Sequence, residues 1–121
     1  MSQLYFKKPF QDAIRAGTKT TTIRRWARPM VKVGRNSFSP GLGWLAIEAV
    51  EVIQIESLDD ADATADGFDT VVEMRQRLIE FYPDHRDDDK SWFRVRFRVH
   101  ELQVRGRKKI DPEPGLSQLD I

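Results

Sequence analysis

The residues whose types and spacing could do chemistry are concentrated between positions 17 and 26, which read GTKTTTIRRW. Lys19 stands just before a threonine run that favours a strand, because β-branched residues are poor helix formers. A threonine hydroxyl is a weak nucleophile until a base removes its proton, and a lysine becomes such a base when burial or nearby cations lower its pKa. Lys19 and Thr22 are therefore candidate catalytic residues. The alternative is an exposed edge strand with a solvated lysine.

The end of the same segment supplies candidate substrate contacts. Strand alternation predicts that Thr22 and Arg24 share one face, so Arg24 could stabilise negative charge that develops beside the hydroxyl. Arg25 and Trp26 follow directly and complete a cationic and aromatic group. We expect Arg24, Arg25 and Trp26 to contact the substrate.

A carboxylate precedes the second long predicted helix in the sequence Asp66-Gly67-Phe68. Asp66 could orient a lysine, hydrogen-bond the edge of a base or act as an acid or base, which makes it the third candidate catalytic residue. Phe68 is a further candidate substrate contact. The alternative is a turn aspartate, which is common at such positions because its side chain bonds to nearby backbone.

A second group of functional candidates lies on the last predicted strand. Alternation directs Phe93, Val95, Phe97 and Val99 to one face, and the residues between them to the other. Arginines on alternate positions are about 6.6 Å apart, close to the phosphate spacing of a single nucleic-acid strand. The candidate nucleic-acid contacts are Trp92, as a stacking surface, and Arg94, Arg96 and Arg98. The alternative is a solvent-facing strand whose arginines pair with acidic residues of the middle segment.

Charge and composition set bounds on the function. The net charge of the 121 residues is +1, but it is uneven: residues 1–57 and 92–121 are basic, and residues 58–91 are acidic. The chain has no cysteine and two histidines, so we expect no metal and no cofactor. It has no apolar run of about 18 residues and no signal-peptide pattern at its start, so we expect a cytoplasmic protein without a membrane partner.

Local signals predict the elements that must position these residues. They predict a short strand over 4–6, a helix over 8–16, a strand over 19–25 and turns over 27–43. A long bent strand with a bulge near Ala49-Val50 follows over 44–58, and 59–65 form a turn of helix or a loop. Thr70 caps a helix that ends near Phe81, and the final strand begins at Trp92. The order predicts an α+β fold, a small β-barrel of five to six strands with two main flanking helices.

The ordered motifs resemble the ASCH domain, a branch of the PUA-like superfamily. The resemblance rests on Lys8-Pro9-Phe10, on the spacing of Gly17, Lys19, Thr22 and Arg24, on Gly34, on Asp66-Gly67-Phe68 and on the alternation from Trp92. It covers roughly residues 3–102 and implies a PUA-like barrel with a cleft for RNA or modified nucleosides. We accordingly divide the chain into an ASCH domain over 1–104 and a basic, then proline-containing tail over 105–121.

The resemblance also implies activities. Some small bacterial ASCH proteins are N4-acetylcytidine amidohydrolases that use a lysine, a threonine and a glutamate. The lysine corresponds to Lys19 and the threonine to Thr22, whereas the glutamate falls near Asp66, which is one methylene shorter. Other ASCH proteins are described as RNA-binding or ribonucleolytic. The resemblance therefore implies a protein that acts on RNA or modified nucleosides, and hydrolysis of the N4-acyl amide of N4-acetylcytidine is one activity that it could have. The alternatives are a non-catalytic RNA-binding module and a metal-independent ribonuclease.

Overall fold

The structure, a computed structural model, describes residues 3–102, with the backbone alone for the last two. The expected boundary at residue 104 and the tail over 105–121 lie outside the described residues. No helix within 3–102 is long and apolar enough to cross a membrane. In chain order the elements are α1 (Lys8–Arg15), β1 (Thr21–Trp26), β2 (Asn36–Ser39), β3 (Gly43–Ile53), a short 3-10 helix (Ile55–Ser57), α2 (Asp60–Ala65), α3 (Val71–Phe81) and β4 (Ser91–Leu102).

The four strands form one curled antiparallel sheet in the order β1-β4-β3-β2. The sheet with its flanking helices confirms the predicted α+β class, and the curled sheet forms a half-barrel. The long β3 strand shifts register between Ile47 and Ala49, which confirms the expected bulge close to Ala49-Val50. A second shift lies between Trp44 and Leu45. These irregularities let one strand bend along the whole length of β4.

The described residues contain four strands, fewer than the five or six expected. Residues 4–6 are not a strand, because this segment makes only an isolated bridge between Gln3 and Phe38. Conversely, β2 lies inside the region assigned to turns. Its four residues have no strand signal of their own, and they are extended because they pair with β3, where Phe38 packs against Trp44 with ring centroids 5.2 Å apart.

The helices begin and end at the expected signals. α1 has proline in its first turn and is followed by Gly17, whose φ of +83° few other residues adopt. The side chain of Thr70 accepts a hydrogen bond from the backbone N–H of Glu73, which starts α3. The Glu73 carboxylate in turn accepts from Asp69, one residue earlier than a capping box requires. α3 thus starts directly after the turn that carries Asp66.

Two buried apolar clusters hold the helices to opposite faces of the sheet. Thr22 pairs with Val95, so both side chains share the face that carries one cluster, whereas Ile23 pairs with Arg94 on the other face. The first cluster is built around Leu4, Ile14, Leu42, Leu45, Ile47, Val95 and Phe97. The second is built around Ile23, Ile55, Leu58, Met74, Leu78 and Trp92. The start of β1 therefore lies between helices on both sides.

Candidate active site

A cavity of about 320 Å³ opens where β1 begins. Four parts of the chain enclose it: residues 5–10, the start of β1, the turn between α2 and α3, and the end of α3. Its wall consists of Tyr5, Phe6, Lys7, Phe10, Lys19, Thr22, Ile23, Arg24, Asp66, Phe68, Leu78, Phe81 and Tyr82. The volume falls within the range of about 300–1,000 Å³ that is typical of small-molecule sites.

The floor of the cavity is a buried ion pair. The Lys19 Nζ donates to the Asp66 backbone carbonyl at 2.8 Å and lies 3.4 Å from the Asp66 Oδ2. The Asp66 Oδ1 accepts a hydrogen bond from the Thr21 hydroxyl at 2.8 Å. The side chains of Lys19 and Asp66 are only 3% and 4% exposed. The lysine is thus held in one position, and the carboxylate is occupied on both oxygens.

The turn that carries Asp66 is shaped by the sequence around it. α2 ends at Ala65, whose carbonyl accepts from the Thr20 N–H at 2.7 Å and so fastens the turn to the start of β1. Gly67 has a φ of +92°, and a Cβ added there would lie 3.4 Å from the Lys19 Cβ. The positive φ therefore favours glycine here, and a Cβ would only come into ordinary van der Waals contact with the lysine. This geometry brings Asp66 onto Lys19 across 47 positions of sequence.

The environment moves the pKa values of both members of the pair toward their uncharged forms. Burial lowers the pKa of the Lys19 ammonium, although Asp66 opposes this, and the nearby positive charge of Arg24 lowers it further. Burial raises the pKa of the Asp66 carboxyl, against the opposing effects of Lys19 and the Thr21 hydrogen bond. Lys19 therefore loses its proton at a lower pH than an exposed lysine does. A catalytic base requires this neutral form of the amine.

Thr22 and Arg24 form the second half of the site. The Arg24 Nε donates to the Thr22 Oγ1 at 3.0 Å, and the Arg24 Nη2 donates to the backbone carbonyl of Tyr5 at 2.8 Å. The guanidinium also lies over the ring of Phe6, 4.9 Å from its centroid. Thr22 itself is only 5% exposed. A fixed cation is thus held beside the hydroxyl oxygen, close to where the oxyanion of an attacked carbonyl group would form.

Aromatic rings complete the wall, and the sequence patterns did not single them out. The Lys19 Nζ lies 5.0 Å from the ring centroid of Phe10 and 5.9 Å from that of Phe6. Such contacts stabilise a cation while they exclude water. Tyr5, Phe81 and Tyr82 line the same cavity. The sequence does place aromatic residues directly before α1 and at the end of α3. Aromatic residues at such positions are equally typical of core packing, so their place in the cavity wall could not be predicted.

The structure brings together five of the candidate residues from the sequence. Lys19, Thr22, Arg24, Asp66 and Phe68 all line the cavity. Their catalytic and substrate-binding roles remain predictions. Thr21 was missed, because alternation placed it on the face opposite Thr22, yet its hydroxyl reaches the carboxylate of Asp66.

Arg25 and Trp26 are not placed at the cavity. The Arg25 side chain points to the other face of β1, because successive residues of a strand alternate, and it pairs with Asp88 at 3.1 Å. Its guanidinium lies 4.8 Å from the ring centroid of Trp92. Trp26 packs on Phe93 with ring centroids 5.7 Å apart. Neither residue lines the cavity, so the prediction that they contact the substrate has no support from the geometry of this site.

Trp92 is also not where the sequence predicted. Its side chain belongs to the second apolar cluster and is 7% exposed, with Tyr82 and His85 packed against it. The expectation of an outward stacking surface is therefore wrong: a large ring at the start of a strand is buried under Arg25 and the loop after α3. Arg94 is held by two carboxylates, Asp62 at 2.8 Å and Glu51 at 3.0 Å. It has little capacity left for a phosphate.

Arg96 and Arg98 remain at the surface, with side chains 58% and 62% exposed. Both pair with the same carboxylate, that of Glu48, at 3.5 and 3.2 Å. They border a shallow groove of about 550 Å³ that also includes Arg15, Lys19 and Thr20. One glutamate cannot neutralise two arginines, so this groove keeps a positive charge.

The part of the chain that the structure describes contains no cluster of metal ligands. Within it, no three His, Cys, Asp or Glu side chains are grouped so that they could hold a metal ion.

Comparison with known proteins identifies the fold. No family model matches the sequence, and no curated protein matches it. Among solved structures, the ASCH domain from Lactobacillus crispatus has a TM-score of 0.66 at 17% identity, covering 81% of this chain and 78% of that one. A DUF984 protein from Enterococcus faecalis has a TM-score of 0.64 at 16% identity, covering 90% of this chain and 86% of that one.

An ASCH protein from Zymomonas mobilis has a TM-score of 0.59 at 16% identity, covering 82% of this chain and 68% of that one. The protein therefore has an α+β architecture with a curled antiparallel sheet. More narrowly, its fold is that of an ASCH domain, as the sequence motifs predicted.

Proposed function

We propose that the cavity binds a cytidine acylated on its exocyclic nitrogen and hydrolyses the N4-acyl amide. The observation that carries the proposal is the position of Lys19. Its amine is buried between Asp66 and two phenylalanine rings, burial lowers its pKa, and it shares one small cavity with the Thr22 hydroxyl and the Arg24 guanidinium. A base, a hydroxyl and an oxyanion-stabilising cation are the groups that amide hydrolysis needs.

In the first step, neutral Lys19 accepts a proton from the attacking oxygen, which belongs to Thr22 or to a water held by the Thr22 hydroxyl. That oxygen forms a bond to the acyl carbon, and the carbonyl oxygen takes the negative charge. Arg24 stabilises this charge, because its Nε is already oriented toward the site of attack by the bond to Thr22. Asp66 stabilises the lysine ammonium that has formed.

In the second step, the bond between the acyl carbon and N4 breaks, and the Lys19 ammonium returns its proton to the leaving amine. Direct attack by water gives cytidine and the free acid at once. Attack by Thr22 gives cytidine and an acyl-threonine ester, which a water then hydrolyses. Mass spectrometry of protein quenched during turnover distinguishes the routes, since only the second adds the acyl group to the chain.

The aromatic wall supports recognition of a flat base. Phe68 packs edge-on against Phe10 with centroids 5.9 Å apart, and Phe10 packs similarly against Phe81 at 6.2 Å. A pyrimidine ring placed beside these rings would be desolvated and held in plane. Chromatographic measurement of cytidine released from a series of N4-acyl cytidines tests the proposal. Release of cytidine supports it, and the absence of release from every member of the series would overturn it.

A change at Thr22 tests the role of the hydroxyl. Thr22→Val keeps the shape and the strand preference but removes the oxygen, so we expect cytidine release to fall by about 100-fold or more. Thr22→Ser is the matched control: it retains the hydroxyl and should retain most of the activity. Both rates are measured at saturating substrate. Equal rates for the valine and serine variants would remove Thr22 from the mechanism.

A non-catalytic RNA-binding module is the second candidate, and the positive groove favours it. Arg15, Arg96 and Arg98 border this groove, which meets the cavity at Lys19. An RNA strand could then place a base in the cavity and its phosphates along the groove. Salt-sensitive RNA binding without cytidine release would favour this function, and shortened RNA products would instead indicate a ribonuclease.

Replacing Arg96 and Arg98 with glutamine tests the groove. We expect weaker binding of single-stranded RNA and a salt dependence that is shallower by about one unit of log–log slope for each phosphate that the protein no longer neutralises. The charge-matched control is the double change Arg86→Gln and Lys90→Gln, two exposed cations in the acidic segment. Fluorescence anisotropy with a labelled oligonucleotide at several salt concentrations measures both effects. Identical slopes for wild type and the Arg96/Arg98 variant would show that these arginines are solvent-exposed side chains that bind no phosphate.

A further inference from the structure

The charges on the cavity wall are unequal. Three cations, Lys7, Lys19 and Arg24, line the cavity with a single carboxylate, that of Asp66. Asp66 is already paired with Lys19 at the floor. Among residues 3–100, Lys7 and Arg24 form no ion pair with any carboxylate. The cavity therefore has two positive charges that its own wall does not neutralise.

Lys7 lies toward the opening, whereas Arg24 is directed at the buried Thr22 hydroxyl. Lys19, Thr22 and Asp66 are buried, with exposed fractions of 4%, 5% and 3%. Tyr5, at the rim, is 63% exposed, and Lys7 is exposed beside it. A base that presents its acylated amine to Lys19 and Thr22 must therefore direct its ribose outward. The groups carried by the ribose would then lie at the positive rim.

Lys7 occupies a position that helix stability alone does not explain. It is the residue that precedes α1, and the first turn of α1 contains no acidic residue. Cations are unfavourable there, because the helix dipole is positive at its N-terminus. The charge of its neighbour Lys8 is paired with that of Asp12, since the Lys8 Nζ lies 2.9 Å from the Asp12 Oδ1. The Lys7 Nζ instead lies over the Phe81 ring, 5.4 Å from its centroid. Residues that break a local rule without compensation are expected at functional positions.

We propose that the substrate of this cavity is a phosphorylated cytidine, and that Lys7 binds its phosphate at the rim. The inference rests on the proposed function for the placement of the base. The phosphate dianion supplies a counter-charge for Lys7, whose side chain lies over the Phe81 ring at the exposed side of the cavity. Lys7 is a specificity-determining residue in this account, since it contacts the substrate far from the reacting amide.

Calorimetric titration with cytidine, 5′-CMP and 3′-CMP tests the inference, since these compounds have no acyl group and do not turn over. We expect wild-type protein to bind one of the two nucleotides about tenfold more tightly than cytidine, the size of a partly exposed charge-assisted contact. The preferred isomer shows which hydroxyl carries the phosphate. The preference should weaken as salt increases.

Two variants separate the contributions of neighbouring lysines. Lys7→Gln should abolish the preference for the nucleotide, so that the nucleotide and cytidine bind the variant with equal affinity. Lys8→Gln, which removes the same charge one residue away, should retain the preference. Equal affinities of wild type for cytidine and both nucleotides, or equal losses in the two variants, would overturn the inference.

The two proposals fail separately in these measurements. If cytidine binds but phosphate adds nothing, the proposed function stands and the nucleotide preference is wrong. If a nucleotide is preferred through Lys7 but no N4-acyl cytidine is hydrolysed, the anion site stands and the hydrolase function is wrong.

Discussion

Asp66→Ala is expected to lower the free energy of unfolding by about 3–5 kcal/mol at pH 7. Removal of the carboxylate leaves the Lys19 ammonium 3% exposed, with the Asp66 backbone carbonyl as its remaining partner. It also removes the acceptor of the buried Thr21 hydroxyl. A buried charge without a counter-charge must either stay ionised at high cost or lose its proton. Urea titration followed by circular dichroism measures the change.

The pH dependence of the same variant identifies the cause. Without Asp66, the folded-state pKa of Lys19 should fall further below its unfolded value, because the carboxylate is the main influence that raises it. Between those two pKa values the unfolded chain binds more protons than the folded one, so stability rises with pH. The deficit of Asp66→Ala should therefore shrink as the pH is raised from 7 to 9.

A double variant is the control for simple loss of packing. Lys19→Met combined with Asp66→Ala removes both charges, so it should be more stable than Asp66→Ala alone at pH 7. A deficit below about 1 kcal/mol for Asp66→Ala, with no rise in stability at higher pH, would contradict the buried ion pair.

The largest effect on activity is expected for Lys19→Met, which should reduce cytidine release by a factor of about 10²–10⁴. Methionine has a similar length and packs well against Phe6 and Phe10, but it cannot accept a proton. The remaining Asp66 carboxyl can be protonated, because burial already raises its pKa and loss of Lys19 raises it further. The fold is checked by circular dichroism. Lys8→Gln should have wild-type activity.

The pH profile of the wild type tests the same assignment. The neutral form of Lys19 is the active base, so kcat/KM should fall as the pH decreases through the pKa of this lysine. Burial lowers that pKa, so the fall should begin at a lower pH than for an exposed lysine. A rate independent of pH over the stable range, or activity of Lys19→Met within tenfold of wild type, would exclude Lys19 as the base.

The sequence could predict those features that depend on local signals. The helix α1 is predicted by a proline in its first turn and a glycine after its end, which suit the backbone conformation at those positions. The helix α3 is predicted by a threonine whose side chain accepts a hydrogen bond from a free backbone N–H at its start. The lysine and threonine before and within β1 are recognisable because an amine next to a hydroxyl is a combination that can carry out acid–base and nucleophilic chemistry. Both line the cavity.

Features that depend on distant contacts could not be predicted. β2 has no strand signal and exists because β3 pairs with it. Thr21 reaches Asp66 because the turn at Gly67 crosses the start of β1, where strand alternation gives no information about the neighbouring segment. Trp92 was predicted to face solvent because β4 alternates, but α3 and the following loop cover its end of the strand.

A single-turnover reaction tests the central claim most directly. Wild-type protein in excess over N4-acetylcytidine is quenched at intervals, and cytidine and acetate are quantified together. We predict equal amounts of both products, formed by wild type and not by Lys19→Met. Unchanged N4-acetylcytidine in the wild-type reaction, or equal product from folded Lys19→Met, would contradict the assignment of this cavity as an amidohydrolase site.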